Sequence, residues 1–144
     1  MTDDRPLLKM PFTYPRTVRL SDTDAAGVTY FAKVLSMCHE AYEDSLIEAG
    51  IDLKTFLNNS STAIPIVHAQ IDFFRPLLCG DKLLIHLAPQ QLSENEFEIT
   101  YQIFTVSSSQ KPRAKANTRH VCINPTSRSR TPLPEAIIQW LTLQ

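Results

Sequence analysis

The residues from Phe31 to Ala49 place the strongest constraint on the fold. Phe31, Leu35, Cys38, Tyr42, Leu46 and Ala49 recur at spacings of three or four, the period that stacks side chains along one helical face. Val34, Met37 and Ala41 widen that face, while Lys33, Ser36, Glu40, Glu43, Asp44 and Glu48 take most of the remaining surface. Gly50 is placed to end the helix in a left-handed cap. One long helix is expected over roughly residues 30 to 49, with an apolar arc broad enough to need covering by several other elements.

Beyond the helix the chain reads as strand almost to its end. After a connector over residues 51 to 62, with a short helical turn expected around Leu53 to Leu57, the segment Ile64 to Phe74 alternates Val67, Ala69, Ile71 and Phe73 against His68, Gln70 and Asp72. Lys82 to Ala88, Phe97 to Val106 and Arg113 to Ile123 continue that period of two, separated by Cys79-Gly80-Asp81, Ser93-Glu94-Asn95 and the run Ser107 to Pro112. Ahead of the helix, Phe12 to Leu20 reads as a strand, with Val18 and Leu20 on one face and Thr17 and Arg19 on the other. Pro15 marks an irregular start or an exposed edge, and residues 1 to about 11 read as a flexible lead-in. Pro134 opens a short C-terminal helix carrying Ile137, Ile138, Trp140 and Leu141. Strand, long helix and four further strands describe an α+β hot-dog fold, a curved antiparallel sheet wrapped around one long central helix. Such a sheet keeps uncovered edges and one uncovered face, so a homo-oligomer is expected, either a dimer or a dimer of dimers forming a homotetramer.

The 144 residues fit a single domain spanning residues 1–144, large enough to bury a core. A formal charge of −1 without Lys/Arg runs gives no electrostatic footprint for nucleic acid or an anionic membrane, so neither is an expected partner. Cys38, Cys79 and Cys122 are odd in number and lack paired C-x-x-C spacing, and they read as free thiols in a reducing compartment. The polar, acidic start Met-Thr-Asp-Asp-Arg and the lack of any membrane-length apolar run predict a cytoplasmic protein. No G-x-S-x-G elbow, glycine-rich phosphate loop or metal-spaced histidine set is present, so no metal and no cofactor is expected.

Chemistry is expected where the first strand gives way to the helix. Asp22-Thr23-Asp24-Ala25-Ala26-Gly27-Val28-Thr29-Tyr30-Phe31 puts two carboxylates and a glycine beside the exposed N–H groups of a helix N-terminus. This stretch resembles the D-x-D-x-x-G-x-x-[YF] signature of hot-dog acyl-CoA thioesterases of the 4-hydroxybenzoyl-CoA thioesterase type. More narrowly, Met37 to Glu43, Pro65-Ile66-Val67-His68-Ala69, Asp72-Phe73-Phe74-Arg75-Pro76, Cys79-Gly80-Asp81 and His120-Val121-Cys122-Ile123 resemble the cyanobacterial 1,4-dihydroxy-2-naphthoyl-CoA hydrolases of phylloquinone (vitamin K1) synthesis. The likeness covers nearly the whole chain. It implies a thioester hydrolase acting on an aromatic acyl-CoA, with the catalytic aspartate at Asp24. Two departures stand beside it: Phe31-Ala32-Lys33 occupies the place where short-chain thioesterases of this branch carry a histidine and an asparagine, and Gln91 to Glu96 lacks the adjacent arginines that the 4-hydroxybenzoyl enzymes direct at nucleotide phosphates. The CoA contacts are thereby left unassigned. Another aryl- or short-chain acyl-CoA thioesterase, and a hot-dog module that binds acyl thioesters without turnover, are the alternatives.

The residues suit that chemistry on physical grounds. Thioester hydrolysis needs attack on the carbonyl and donors for the oxyanion, while its thiolate leaves with little help from an acid. Asp24 is the expected carboxylate, acting either as nucleophile through a mixed anhydride or as general base on water. Backbone N–H groups of Tyr30 and Phe31 are expected to polarise the carbonyl, with Gly27 allowing close backbone approach. Asp22 is assigned the plain role of a cap or turn residue. Tyr30, Phe31, His68 and Phe73 are expected to line the acyl site, with Phe74 as a further aromatic wall. For the phosphates of CoA, Arg113 and Arg119 on the last strand and Arg128 and Arg130 in the loop beyond it are the candidates, equally readable as a solvated face and a soluble loop. His39, His86 and Cys38 are read as structural.

Overall fold

The computed structural model describes residues 12–143. The expected lead-in over residues 1 to 11 lies outside the described residues. In chain order the elements are β1 (Phe12–Thr17), a 3-10 turn (Leu20–Asp22), α1 (Phe31–Glu48), α2 (Leu53–Leu57), β2 (Ile66–Phe73), β3 (Lys82–Ser93), β4 (Glu96–Thr105), β5 (Ala114–Val121) and α3 (Glu135–Leu143). All four strand pairings are antiparallel and give the order β1-β3-β4-β5-β2, so β1 and β2, neighbours in sequence, end on opposite edges. The long helix lies against this sheet, which is the expected hot-dog architecture.

Alternation along the central strands decides which side chains meet the helix. Leu83, Ile85 and Leu87 of β3, Phe97, Ile99, Tyr101 and Ile103 of β4 and Ala114 and Ala116 of β5 are buried on one face. From α1 they receive Val34, Met37, Cys38, Ala41, Tyr42 and Leu46, and from α3 Ile137 and Trp140. The Trp140 indole N–H donates to Ser45 Oγ at 3.2 Å, which satisfies the one polar atom that this large side chain brings inside. Gly50 ends α1 as expected, at φ +90° with its N–H on the Ile47 carbonyl.

Three expectations are corrected. The buried face of α1 keeps Cys38, Tyr42 and Leu46 as expected, together with Val34, Met37, Ala41 and Ser45, but it leaves out Phe31, which is 60 % exposed. Leu20 does not share the burial of Val18, because β1 stops at Thr17 and the 3-10 turn carries Leu20 outward. The apolar alternation of β2 is present without its burial: Ile66, Val67 and Phe73 are all exposed. β2 is an edge strand, and the helix packs on β1 and β3 at the other side of the sheet.

Candidate active site

Between the 3-10 turn and α1 the chain makes a tight hairpin that presents Asp24. Thr23 pairs with Thr29, the Asp24 N–H donates to the Val28 carbonyl at 2.9 Å, and the Gly27 N–H donates to the Asp24 carbonyl at 3.1 Å. Gly27 sits at φ +78°, a conformation that a side chain would strain. The carboxylate of Asp24 folds back on its own turn, Oδ1 accepting from the N–H groups of Ala26 at 2.9 Å and Val28 at 3.3 Å. Its Oδ2 has no partner among the described residues, and the side chain is exposed. Among the described residues, Asp24 is therefore held by one oxygen and free at the other.

A second segment braces the hairpin from the side. The Thr29 N–H and hydroxyl both donate to the Leu77 carbonyl, at 2.8 and 2.9 Å, and the Cys79 N–H donates to the Gly27 carbonyl at 3.1 Å. Gly27 thus shapes the turn that carries Asp24. Docking of this segment beside the start of α1 leaves an apolar groove of about 350 Å³, walled by Phe31, Val34, Phe73, Phe74 and Leu77 and including Arg75. Its volume falls in the range of small-molecule sites. The outward turn of Phe31, which removes it from the core, is what lets it form this wall.

The structure sorts the two expected amide donors. The Tyr30 N–H is not available, since it donates to the Asp22 carbonyl at 2.9 Å. The Phe31 N–H, at the first position of α1, has no intrahelical acceptor and no partner among the described residues, so it is the donor pointing free at the helix N-terminus.

His68 is not brought to the groove. It lies opposite Arg119 in the β2–β5 ladder, and Arg119 stands on the face of β5 away from the buried Thr118 and His120, so His68 faces outward as well. Nor are the four arginines gathered in one place. The Arg113 carbonyl accepts from the N–H groups of Phe74 and Arg75, which sets Arg113 beside the groove wall. Arg119 is half-buried on the outer sheet face with its Nε unpartnered. Arg130 is engaged by Asn95 Oδ1 at 3.3 Å and Glu96 at 3.7 Å, at the opposite end of the β4–β5 ladder from Arg113. Arg128 lies exposed in the same far loop.

Two features escape a reading of the sequence. One is Arg75, whose place in a run of aromatic residues gives no sign that it reaches the groove. The other is a cluster around Asp22. Arg16 bonds Asp22 Oδ2 at 2.7 Å through Nη1 and Glu40 Oε1 at 2.9 Å through Nε, and the Tyr14 hydroxyl donates to Glu40 at 2.8 Å. The Arg16 bonds hold the Asp22 carboxyl below the usual range. For Glu40, burial works upward but the bonds from Arg16 and Tyr14 outweigh it, and its pKa is also lowered. The parity of Arg16 with Val18 is the signal that could have placed it on the inner face.

His120 fills a different role from the site residues. It is fully buried, stacked on Phe97 with ring centroids 4.6 Å apart, and its Nε2 lies 2.7 Å from Thr118 Oγ1, which in turn is 3.2 Å from the Tyr101 hydroxyl. Burial, aided by His39, pushes its pKa down to about 4.

Known proteins place this arrangement in a family. Residues 18–141 match the model of the thioesterase-like superfamily. The 1,4-dihydroxy-2-naphthoyl-CoA hydrolase of Gloeothece citriformis is 63 % identical over 128 residues, covering 89 % of this chain and 90 % of that protein. The hydrolase of the same name from Thermosynechococcus vestitus is 45 % identical over 128 residues, covering 89 % of this chain and 86 % of that one. A crystal structure of a 1,4-dihydroxy-2-naphthoyl-CoA thioesterase from Synechocystis superposes with a TM-score of 0.86 at 44 % identity, covering 91 % of this chain and 95 % of that chain. With the Asp24 hairpin, the hot-dog sheet and this likeness along nine-tenths of its length, the chain belongs to the thioesterase-like superfamily and, within it, to the 1,4-dihydroxy-2-naphthoyl-CoA hydrolase family.

Proposed function

We propose that this protein hydrolyses 1,4-dihydroxy-2-naphthoyl-CoA to 1,4-dihydroxy-2-naphthoate and CoA, the thioester cleavage of phylloquinone synthesis. The observation that carries the reading is the Asp24 carboxylate, one oxygen locked by its own turn and the other without a partner among the described residues, on a hairpin whose Val28 and Thr29 line an apolar groove at the N-terminus of α1. The naphthoyl ring is assigned to the groove between Phe31 and Phe73. Its thioester carbonyl then accepts from the Phe31 N–H, with the helix dipole favouring the negative charge that develops on oxygen. Asp24 Oδ2 attacks the carbonyl carbon and expels the CoA thiolate, leaving a mixed anhydride for water to open, or it removes a proton from the water that attacks. In either route the thiolate leaves without a dedicated acid.

A second copy of the chain is part of this reading. β2 is exposed on both faces, and a groove of about 390 Å³ lies between α1 and the Ile66 and Ala69 side of β2. An edge strand with exposed Ile66, Val67 and Phe73 is a surface that a partner subunit covers, in a dimer or a dimer of dimers. Arg113 and Arg75 are the cations beside the groove suited to CoA phosphates, and Arg119, Arg128 and Arg130 would serve only from a neighbouring subunit. No helix among the described residues is long and apolar enough to cross a membrane, and the proposed location is the cytoplasm.

Thiol release from 1,4-dihydroxy-2-naphthoyl-CoA, benzoyl-CoA and short-chain acyl-CoAs, measured side by side, tests the reading. The naphthoyl thioester should be cleaved with the highest kcat/KM. Equal rates on all three would remove the naphthoyl assignment, and no turnover of any would remove the enzyme.

A further inference from the structure

Arg16, Asp22 and Glu40 form a charged cluster on the inner side of an edge strand, where the neighbouring inward positions are Phe12 and Tyr14. Asp22 is 4 % exposed and Arg16 half-buried. Withdrawing such charges from water offsets much of their mutual attraction, so stability alone gives little reason for them to be there. Their connections do. Asp22 Oδ2 accepts from Arg16 at 2.7 Å and from the Arg19 N–H at 2.8 Å, while the Asp22 carbonyl accepts from the Tyr30 N–H at 2.9 Å. One residue therefore fastens both the entry and the exit of the hairpin. Asp24 lies two residues beyond its backbone, and Phe31 one residue beyond Tyr30. Glu40, a few turns along α1, fixes the other side of the Arg16 guanidinium, with a second contact at 3.3 Å.

We propose that the Arg16–Asp22–Glu40 cluster positions the hydrolytic site, setting the distance between the Asp24 carboxylate and the Phe31 amide by tying the hairpin to α1. The inference rests on the proposed hydrolytic function and assigns no contact with substrate to Arg16 or Glu40: they are positioning residues. The hairpin has its own brace on Leu77 and Cys79, and the groove wall from Phe73 to Leu77 does not depend on the cluster. Loss of the cluster should leave the turn and the wall from Phe73 to Leu77 formed but shift the turn slightly relative to the helix. A misplacement of about 1 Å at a reacting centre lowers rate by about a hundredfold.

The experiment is steady-state kinetics on 1,4-dihydroxy-2-naphthoyl-CoA with wild type, Arg16→Ala and Glu40→Gln, each checked for folding by circular dichroism. Arg16→Ala should lose about ten- to a hundredfold in kcat with KM within about twofold. Added guanidinium ion should restore part of that kcat, and methylammonium, with the same charge but without the planar fork, should not. Glu40→Gln, which keeps an acceptor for Tyr14, should show a smaller kcat loss of the same kind and serves if Arg16→Ala does not fold. A kcat unchanged in folded variants overturns the inference, and so does a rise in KM at constant kcat. Inactive wild type is a separate outcome: it overturns the hydrolytic reading, and the positioning role with it.

Discussion

Burial of His120 makes the fold sensitive to mild acid in a calculable way. The ring is fully inaccessible, packed on Phe97 and Tyr42 and bonded through Nε2 to Thr118, and its pKa lies near 4 against an ordinary 6.5. Its folded-state pKa is depressed, so between those two values the unfolded chain binds a proton that the folded chain does not. Stability is therefore complete above pH 6.5 and falls as pH drops toward 4. At pH 5 the ratio of proton-binding factors corresponds to a loss of about 2 kcal/mol, and the full difference approaches about 3 kcal/mol. Asp22 and Glu40, both held below the normal carboxylate range, begin to contribute only at lower pH, which leaves the window from pH 6.5 to 5 to His120 among these three groups. Urea unfolding at fixed protein concentration, repeated across that window for wild type and His120→Gln, measures it. Glutamine can still reach Thr118 but does not titrate, so the variant should be less stable at pH 7 and show a flatter pH dependence. Parallel curves for the two proteins would refute the buried neutral imidazole.

Burial and backbone geometry carry further consequences. Cys79 is exposed whereas Cys38 and Cys122 are buried, and burial raises the Cys38 thiol to about 12, so one thiol per chain should react rapidly with iodoacetamide and the other two only after unfolding. Mass mapping of the modified peptide should find Cys79. Gly27→Ala meets no atom within 4 Å, so its effect comes from φ +78° alone: a loss of about 1–2 kcal/mol in denaturant unfolding, with a reduced kcat as the Asp24 turn relaxes. An unchanged midpoint and kcat would contradict the strained turn.

The legible parts of this protein are those set by local periodicity. The helix from Phe31 to Glu48 and the turn at Gly50 follow from spacing and a cap residue. The turns at Gly80 and Asn95 separate the strands where expected, because glycine and polar residues punctuate a period of two. Sheet order is different: nothing local tells β2 to pair with β5 while β1 pairs with β3. That long-range choice leaves β2 bare despite a core-like alternation. Within the site, Asp24 is visible through its surrounding pattern. The choice between the Tyr30 and Phe31 amides is not, because it turns on one hydrogen bond to the Asp22 carbonyl. That His68 and Phe73 do not share a face is set by strand parity, and pairing with Arg119 puts His68 on the outer face. Arg16 is hidden by its charge, which reads as solvent-facing until two carboxylates from other elements are seen around it.

Replacing Asp24 by asparagine tests the central claim most directly. Asparagine Oδ1 can still accept from the Ala26 and Val28 N–H groups, so the turn is retained while the free carboxylate oxygen becomes an amide nitrogen. Measured on 1,4-dihydroxy-2-naphthoyl-CoA, Asp24→Asn should lower kcat by about 10²- to 10⁴-fold with KM nearly unchanged and the unfolding midpoint preserved. A folded Asp24→Asn protein that turns over at the wild-type rate would contradict the account, since the attack on the thioester would then belong to another group.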